Sequence, residues 1–197
     1  ILEPLRETVR RRTLVSLVCA GLVSWPSVAP SQPLDPSDPC AAGRQLFVQN
    51  DYLAAEPLLR RCLERGESVA ALLPLTMITV VQGRPEQGRD FGERALALAP
   101  DNANVRYWYG RALLETGEVD AARTQWEEAL GLDSGHVGVL EALARLSLRT
   151  GEQAKAYNLL NQLQMQGVDE PWLHRMLSGL ARRKGLEQDP LKSGAVT

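Results

Sequence analysis

The chain has 197 residues, of which 44% are hydrophobic and only 5% are aromatic. Its 22 basic and 24 acidic residues are interspersed and give a formal net charge of −2. This composition suits one folded domain of about 150 residues with additional segments. It excludes the clustered positive charge that nucleic-acid binding requires, so no nucleic-acid partner is predicted.

The N-terminal segment 1–29 has the layout of a secretory signal. Three arginines at 10–12 precede an apolar run at 13–24, and small residues follow at 27–29. This layout predicts a cleaved signal peptide and a periplasmic or cell-envelope protein. The alternative is an uncleaved membrane anchor, a tether through residues 13–24, although a spanning helix needs about 20 apolar residues. Cys19 also allows a lipoprotein, which the bulky Val18 before it disfavours.

Residues 30–39 are predicted to form a linker. They contain four prolines and few apolar side chains, so this segment is expected to be extended and solvated. The folded domain is then expected over residues 40–187, with a tail at 188–197.

An internal repeat organises most of the chain. Gly83, Gly117 and Gly151 are evenly spaced, and their period of about 34 residues indicates a stack of similar units rather than a single core. Within the unit that begins at residue 103, apolar residues at helical spacing predict two helices that meet at Gly117. Glycine suits this turn because it adopts a left-handed backbone at little cost, and Asn50 occupies the same place in the first unit.

The same pattern extends in both directions. Units are predicted at about 36–68, 69–102, 103–136 and 137–170, with a final apolar-striped helix at 171–185. Small residues recur at the eighth, twentieth and twenty-seventh positions, where helix backbones must approach closely. These residues are Gly43, Gly110, Ala144, Ala55, Gly88, Ala122, Ala156, Ala95 and Ala129.

These recurring positions resemble the tetratricopeptide repeat (TPR) family, over roughly residues 40–187. The resemblance implies an all-α fold, a right-handed TPR superhelix (α-solenoid) of four helical hairpins plus a C-terminal capping helix. It also implies a non-catalytic scaffold whose first helices line a concave groove for a protein or peptide partner.

Helix geometry determines which side chains of the first helices point into this groove. They occupy the second, fifth, sixth, ninth, twelfth and thirteenth positions of each unit. The predicted partner-binding residues are Arg44, Met77, Asn104, Tyr107, Trp108, Arg111, Glu115, Glu141, Arg145 and Arg149, and the same set of positions includes Phe47, Val48, Leu73 and Val80.

Aromatic and arginine side chains are enriched at binding hot spots, so Trp108, Arg111 and Arg145 form the strongest candidate patch. A partner segment is expected to insert between the Tyr107–Trp108 side and the side that carries Met77. The alternatives are that the two aromatic residues pack between helices, and that Arg145 pairs with the glutamate one turn before it.

Chaperone-binding members of the family hold a C-terminal carboxylate with lysine, asparagine and arginine at defined inner positions. In this chain the corresponding residues are Cys40, Arg44, Pro74, Asn104 and Trp108. A carboxylate clamp of that type is therefore not expected.

The unit at 69–102 is expected to be the least stable. Gly88 and Gly92 lie in one predicted helix, and each costs roughly 1 kcal/mol relative to alanine. Gly92 also occupies a position that is normally bulky, so either a neighbour fills the space or the unit is soft. Pro74, and Pro57 in the preceding unit, are expected to bend a helix or delay its start.

Cys40 and Cys62 are predicted to form a disulfide. Counted from the turn at Asn50, they lie at similar heights on the two helices of the first hairpin. In an oxidising compartment this bond would close a loop of roughly 20 residues and stabilise the hairpin by about 3 kcal/mol. The alternative is two unpaired core thiols.

The sequence contains no recognisable catalytic or metal-binding motif. The two histidines, His136 and His174, lack metal ligands at suitable spacing, and the glycines are too dispersed for a phosphate-binding loop. We predict no enzyme activity, no cofactor and no metal site. The predicted function is a protein-interaction scaffold or adaptor. The alternatives are a structural subunit of an envelope assembly (secretion, pilus or cytochrome c maturation machinery) and a regulatory partner of a separate enzyme.

Overall fold

A computed structural model describes residues 38–187, and their side chains through residue 183. These residues form nine α-helices and no strand, which confirms the all-α prediction. The predicted signal or anchor, most of the linker and the predicted tail lie outside the described residues. The helices are α1 (Pro39–Val48), α2 (Tyr52–Leu63), α3 (Val69–Val81), α4 (Pro85–Leu98), α5 (Ala103–Glu115), α6 (Val119–Leu132), α7 (Val137–Arg149), α8 (Gln153–Met165) and α9 (Pro171–Glu187).

Successive helices pair into four hairpins, α1–α2, α3–α4, α5–α6 and α7–α8, and α9 packs against α8. Each hairpin also contacts the next one, and the first helices touch along the stack, α1 with α3 and α3 with α5. The predicted TPR solenoid of four hairpins and a terminal helix is confirmed. The buried side chains form two clusters, one in α1–α4 with Val105 of α5 and one in α5–α9.

The hairpin turns depend on residues with a left-handed backbone. The φ angle is 62° at Asn50, 72° at Gly83, 90° at Gly117 and 81° at Gly151. These values confirm the turn assignment made from the repeat period, since few residues other than glycine and asparagine adopt positive φ cheaply. The sequence predicts that the terminal helix ends at Gly185, but α9 continues to Glu187.

Trp126 of α6 packs against the backbone of α5. It is 1% exposed, and a Cβ atom at Gly110 would lie only 2.5 Å from its Nε1 atom. The indole N–H donates a hydrogen bond of 3.1 Å to the carbonyl oxygen of Tyr107. Because Gly110 has no side chain, the indole ring of Trp126 can pack directly against the backbone of α5.

The space beside Gly92 is filled by a neighbour. A Cβ atom there would lie 2.9 Å from Cδ2 of Tyr109, so this ring from α5 occupies the position that the sequence leaves empty. The prediction that Val80 faces the groove is wrong. Val80 is 6% exposed, and its Cγ2 atom lies 2.7 Å from where a Cβ of Gly88 would be, so it packs against α4.

The prolines are accommodated inside helices. Pro57 and Pro74 are each the sixth residue of their helix. The prediction that they could delay the start of the helix is therefore wrong. Each lacks the N–H that would bond to the carbonyl four residues earlier, which removes one helical hydrogen bond. Helix α1 begins at Pro39, one residue before the predicted domain start, because the Asp38 carboxylate accepts a hydrogen bond from the N–H of Cys40.

The first hairpin contains a disulfide between Cys40 and Cys62. Their Cα atoms are 4.8 Å apart, and the two residues are separated by 22 positions in the sequence. The bond joins the first turn of α1 to the last turn of α2 and closes the hairpin opposite its turn at Asn50.

An ion pair joins each pair of neighbouring hairpins at one repeat position. The residue before the second helix is Arg84, Glu118 or Glu152, and none of these side chains caps its own helix. Each instead reaches back to the preceding hairpin. The pairs, each with a nitrogen–oxygen distance of 2.6 Å, are Arg84–Glu56, Glu118–Arg89 and Glu152–Arg123.

These pairs lower the pKa values of the carboxyl groups. The Arg84 hydrogen bond lowers the pKa of Glu56, against the opposing effect of burial. Arg89 lowers the pKa of Glu118 in the same way. For Glu152 the hydroxyl of Thr150 is the main cause of a lowered pKa, ahead of Arg123. All three carboxylates are therefore stabilised in their ionised form.

Candidate functional site

A cavity of about 550 Å³ opens on the face formed by the first helices α5, α7 and α9. We call it the α5–α7–α9 groove. Its size is within the range of small-ligand and peptide-anchor sites. Its lining combines charged side chains with an apolar floor. The lining residues are Tyr107, Arg111, Leu114, Glu115, Trp126, Gly138, Glu141, Ala142, Arg145, Leu146, Leu148, Arg149 and Met176.

Six of the predicted partner-binding residues line this groove, and they are Tyr107, Arg111, Glu115, Glu141, Arg145 and Arg149. The other four do not. Arg44 is exposed on α1 and Met77 is half-buried on α3. Trp108 contacts the lining residue Arg111, and Asn104 contacts His136 at the start of α7, but neither lines the cavity. The groove therefore lies on the α7 side of α5, rather than on the side toward Met77 where the sequence predicted insertion.

Two of the groove arginines are stacked on tryptophans. The guanidinium carbon of Arg111 lies 5.0 Å from the ring centre of Trp108, and that of Arg145 lies 5.0 Å from the ring centre of Trp172. Cation–π contacts of this kind hold the guanidinium plane in place. Arg145 also pairs with Glu141 one turn earlier at 2.8 Å, the within-helix pair that the sequence left as an alternative.

The two remaining charged residues of the groove, Glu115 and Arg149, have no charged partner among residues 38–183. Glu115 and Arg149 are both exposed. Neither forms an ion pair or side-chain hydrogen bond with another residue in the range 38–183. Both end their helices, α5 and α7, and both occupy the thirteenth position of the repeat.

Tyr107 is both a packing residue and part of the groove wall. A Cβ atom on Gly138 would lie 2.9 Å from Cζ of Tyr107, so the ring rests on the backbone of α7. Its ring centre is 5.2 Å from that of Trp108, in an edge-on arrangement. Much of the Tyr107 ring is therefore used for packing between helices, as the alternative interpretation of the sequence proposed.

His136 and Asn104 fix the start of α7 beside the groove. The backbone N–H of Val139 donates to Nδ1 of His136 at 3.2 Å, which leaves the proton on Nε2. That nitrogen then donates to Oδ1 of Asn104 at 3.1 Å. The predicted groove residue Asn104 thus holds the helix cap rather than the cavity wall. In the other histidine, His174, the Nε2 atom lies 2.6 Å from Oδ1 of Asp169.

Two residues that complete the site were missed in the sequence. Met176 lines the groove and Trp172 supports Arg145, and both belong to the terminal helix α9. The repeat frame contains the signal that would have found them. If residue 171 is the first position of a fifth unit, they occupy the second and sixth positions, which were assigned to the groove in the other units.

The groove is equipped for binding. Its lining offers guanidinium, carboxylate, aromatic and aliphatic groups, and it includes no serine, cysteine or histidine. Within the described part of the chain, no three histidine, cysteine, aspartate or glutamate residues come together as metal ligands.

The stacked hairpins and this groove define a helical-repeat scaffold. Family profiles described as Tetratricopeptide repeat match residues 80–125 and 110–164. The chain therefore contains tetratricopeptide repeats over residues 80–164, and this relationship supports a protein-interaction scaffold.

Solved structures show the same fold at low sequence identity. MamA is 19% identical, with a TM-score of 0.64 over 73% of this chain and 85% of MamA. PilF of Pseudomonas aeruginosa is 22% identical, with a TM-score of 0.66 over 76% of this chain and 70% of PilF. TTC0263 of Thermus thermophilus is 20% identical, with a TM-score of 0.60 over 76% of this chain and 82% of TTC0263.

A curated relative is the Vi polysaccharide export protein VexE of Salmonella typhi. The two proteins are 33% identical over 127 residues, which is 62% of this chain. The match covers 19% of VexE, so the chain corresponds to about a fifth of that protein's length.

Proposed function

We propose that this chain is a non-catalytic adaptor that holds a peptide or protein segment in the α5–α7–α9 groove. The observation that carries the proposal is the groove itself, a cavity of about 550 Å³ lined by arginines and aromatic residues. Such residues provide much of the energy at protein interfaces. Peptide recognition in a groove between helices is a recurring mode of binding.

The proposed location is the cell envelope. The signal-like layout of residues 1–29 supports export, and the disulfide of the first hairpin suits an oxidising compartment. VexE, to which the chain is similar, is described as an export protein. Among residues 38–187, no helix combines the length and hydropathy needed to cross a bilayer. A tether through residues 13–24 remains a proposal outside the described residues.

Peptide selection tests the adaptor function. Random dodecapeptides displayed on phage are selected on the purified protein, and labelled synthetic copies are titrated by fluorescence polarisation. In the double variant, Trp108→Ala removes the ring on which Arg111 is stacked, and Arg145→Glu reverses one charge in the groove. We expect it to weaken binding more than about tenfold, since hydrogen bonds to charged groups contribute about 1.5–3 kcal/mol.

Arg60→Glu is the matched control. Like Arg145, Arg60 pairs with a glutamate four residues earlier, here Glu56 at 2.9 Å. It also lies over an aromatic ring, 5.1 Å from the ring centre of Phe91. Its side chain is 43% exposed, against 51% for Arg145. The control loses similar local contacts on a second helix and should retain peptide binding. Equal loss in both variants would contradict a groove site.

The second candidate is a structural subunit of an envelope assembly, which the similarity to an export protein favours. In that case the chain should fractionate in a large complex from envelope extracts. Assembly should then be insensitive to the groove variant. A soluble monomer that binds selected peptides supports the adaptor instead.

A further inference from the structure

The basic side chains of this protein are neutralised differently on its two faces. On the face formed by the second helices, five arginine and lysine residues pair with carboxylates of the neighbouring hairpin or of the loop between hairpins. These pairs are Arg84–Glu56, Arg89–Glu118, Arg94–Glu67, Arg123–Glu152 and Lys155–Glu127. In the groove, no arginine pairs with a carboxylate of another hairpin within residues 38–183.

The groove arginines are arranged to receive a ligand. Arg111 and Arg145 are one repeat period apart, so they occupy the same repeat position on the neighbouring helices α5 and α7. Arg149 follows one turn after Arg145. Trp108 and Trp172 each cover one face of a guanidinium group, that of Arg111 and that of Arg145. Arg145 uses its Nε and one terminal nitrogen to bind Glu141, whereas the N–H groups of Arg111 have no hydrogen-bond partner among residues 38–183 and stay available. A guanidinium edge matches the geometry of a carboxylate.

The two glutamates of the groove do not cancel this charge. Glu141 is taken up by Arg145, and Glu115 makes no pair with Arg111 one turn before it. The three arginines and two glutamates leave the lining with a net positive charge. Beneath them lie apolar side chains, among them Leu114, Leu146 and Met176.

We propose that the groove selects a peptide segment that combines an apolar side chain with aspartate or glutamate. The carboxylates bind Arg111 and Arg149, and the apolar side chain packs on Leu114 and Met176. This inference rests on the proposed adaptor function and names the chemistry of its partner. A sugar chain with acidic groups is disfavoured, because an arginine already covers one of the two faces of each tryptophan on which a sugar ring could stack.

Isosteric peptides test the charge requirement. The labelled dodecapeptides selected on the wild-type protein are resynthesised with every aspartate replaced by asparagine and every glutamate by glutamine. We expect the acidic residues to be enriched in the selected set and the neutral copies to bind at least about tenfold more weakly. Equal affinity of the neutral copies overturns the proposal.

Charge reversal assigns the effect to named residues. Arg149→Glu and Arg111→Gln should each weaken the acidic peptide by about tenfold and leave the neutral copy unchanged. Arg61→Glu, a reversal of an exposed arginine on α2, is the control and should affect neither peptide. Loss of both peptides to the same extent in the groove variants would show that charge is not what is recognised.

The failures of the two proposals are distinguishable. If selected peptides bind in the groove without acidic residues, the adaptor function stands and the acidic-peptide proposal falls. If no selected peptide responds to the Trp108–Arg145 variant, the adaptor function itself falls. Oligogalacturonate is added as a competitor. Displacement by the sugar at concentrations similar to the peptide would replace peptide recognition with recognition of polyanions in general.

Discussion

The contact between Gly110 and Trp126 determines how closely α5 and α6 approach. The indole ring lies where the Cβ of any other residue would be, and it is anchored by the carbonyl of Tyr107. Protein interiors are packed densely, so even one methyl group requires movement of its neighbours. At this position the neighbour is a large, hydrogen-bonded side chain that has little freedom to move.

We therefore expect Gly110→Ala to destabilise the protein by about 1–3 kcal/mol, the usual cost of overpacking. Gly131→Ala is the matched control, because Gly131 is also helical but has no atom within 4 Å of its would-be Cβ. That change should stabilise the protein by about 0.5–1 kcal/mol through helix propensity. Urea unfolding followed by circular dichroism measures both values. A loss of stability in both variants would contradict the role of the Trp126 contact.

In the second, third and fourth hairpins, the residue just before the second helix links the hairpin to the one that precedes it. At these junctions the partner residues are always at the same repeat positions, but the polarity of the pair is reversed at the first one. Arg84 reaches Glu56 there, whereas Glu118 and Glu152 reach arginines. Arg84 binds both carboxylate oxygens of Glu56, at 2.8 and 2.6 Å, and this carboxylate is also better shielded from solvent than Glu118.

A double-mutant cycle with Glu56→Gln and Arg84→Gln should measure a coupling of about 1 kcal/mol at neutral pH. The exposed Arg89–Glu118 pair should show a smaller coupling. Because Arg84 lowers the pKa of Glu56, the coupling is fully present above the ordinary value of 4.5. It should disappear as the pH falls through the lower pKa of the folded state. A coupling that shows no decrease as the pH is lowered below 4.5 would contradict the ionic assignment.

At the scale of the whole molecule, each hairpin is stabilised by its own packing and by its contacts with adjacent hairpins. The core consists of two clusters rather than one, and the disulfide constrains only the first hairpin. In such a stack each unit depends on its own packing and on its interfaces. The two ends can therefore open independently.

Reduction of the disulfide should accordingly have a local effect. The bond closes a loop of 22 residues, and its loss should cost the first hairpin about 3 kcal/mol. Hydrogen exchange measured by mass spectrometry, with and without reductant, should show faster exchange in α1 and α2 and unchanged exchange in α7 and α8. Equal acceleration across all helices would indicate one cooperative unit instead.

Much of this architecture could be predicted from the sequence because the repeat encodes it locally. The fixed repeat period and the left-handed turn positions locate the hairpins, and the small eighth residue marks where Trp126 packs. The position of the groove could not be derived in the same way. It depends on which side chains cross between units, as with Tyr109 over Gly92, Val80 against Gly88, and Trp172 beneath Arg145.

The reversed polarity of the first junction has a consequence for how modules can be removed. Excision of residues 103–136 would place Arg89 beside Glu152, two opposite charges that can reform the lost pair. Excision of residues 69–102 would instead bring Glu56 against Glu118, two carboxylates that repel each other. The charges at the junctions therefore favour stacking of the remaining hairpins after loss of residues 103–136 and oppose it after loss of residues 69–102. A shortened protein is expected to fold better with the first deletion, although that deletion removes the α5 side of the groove.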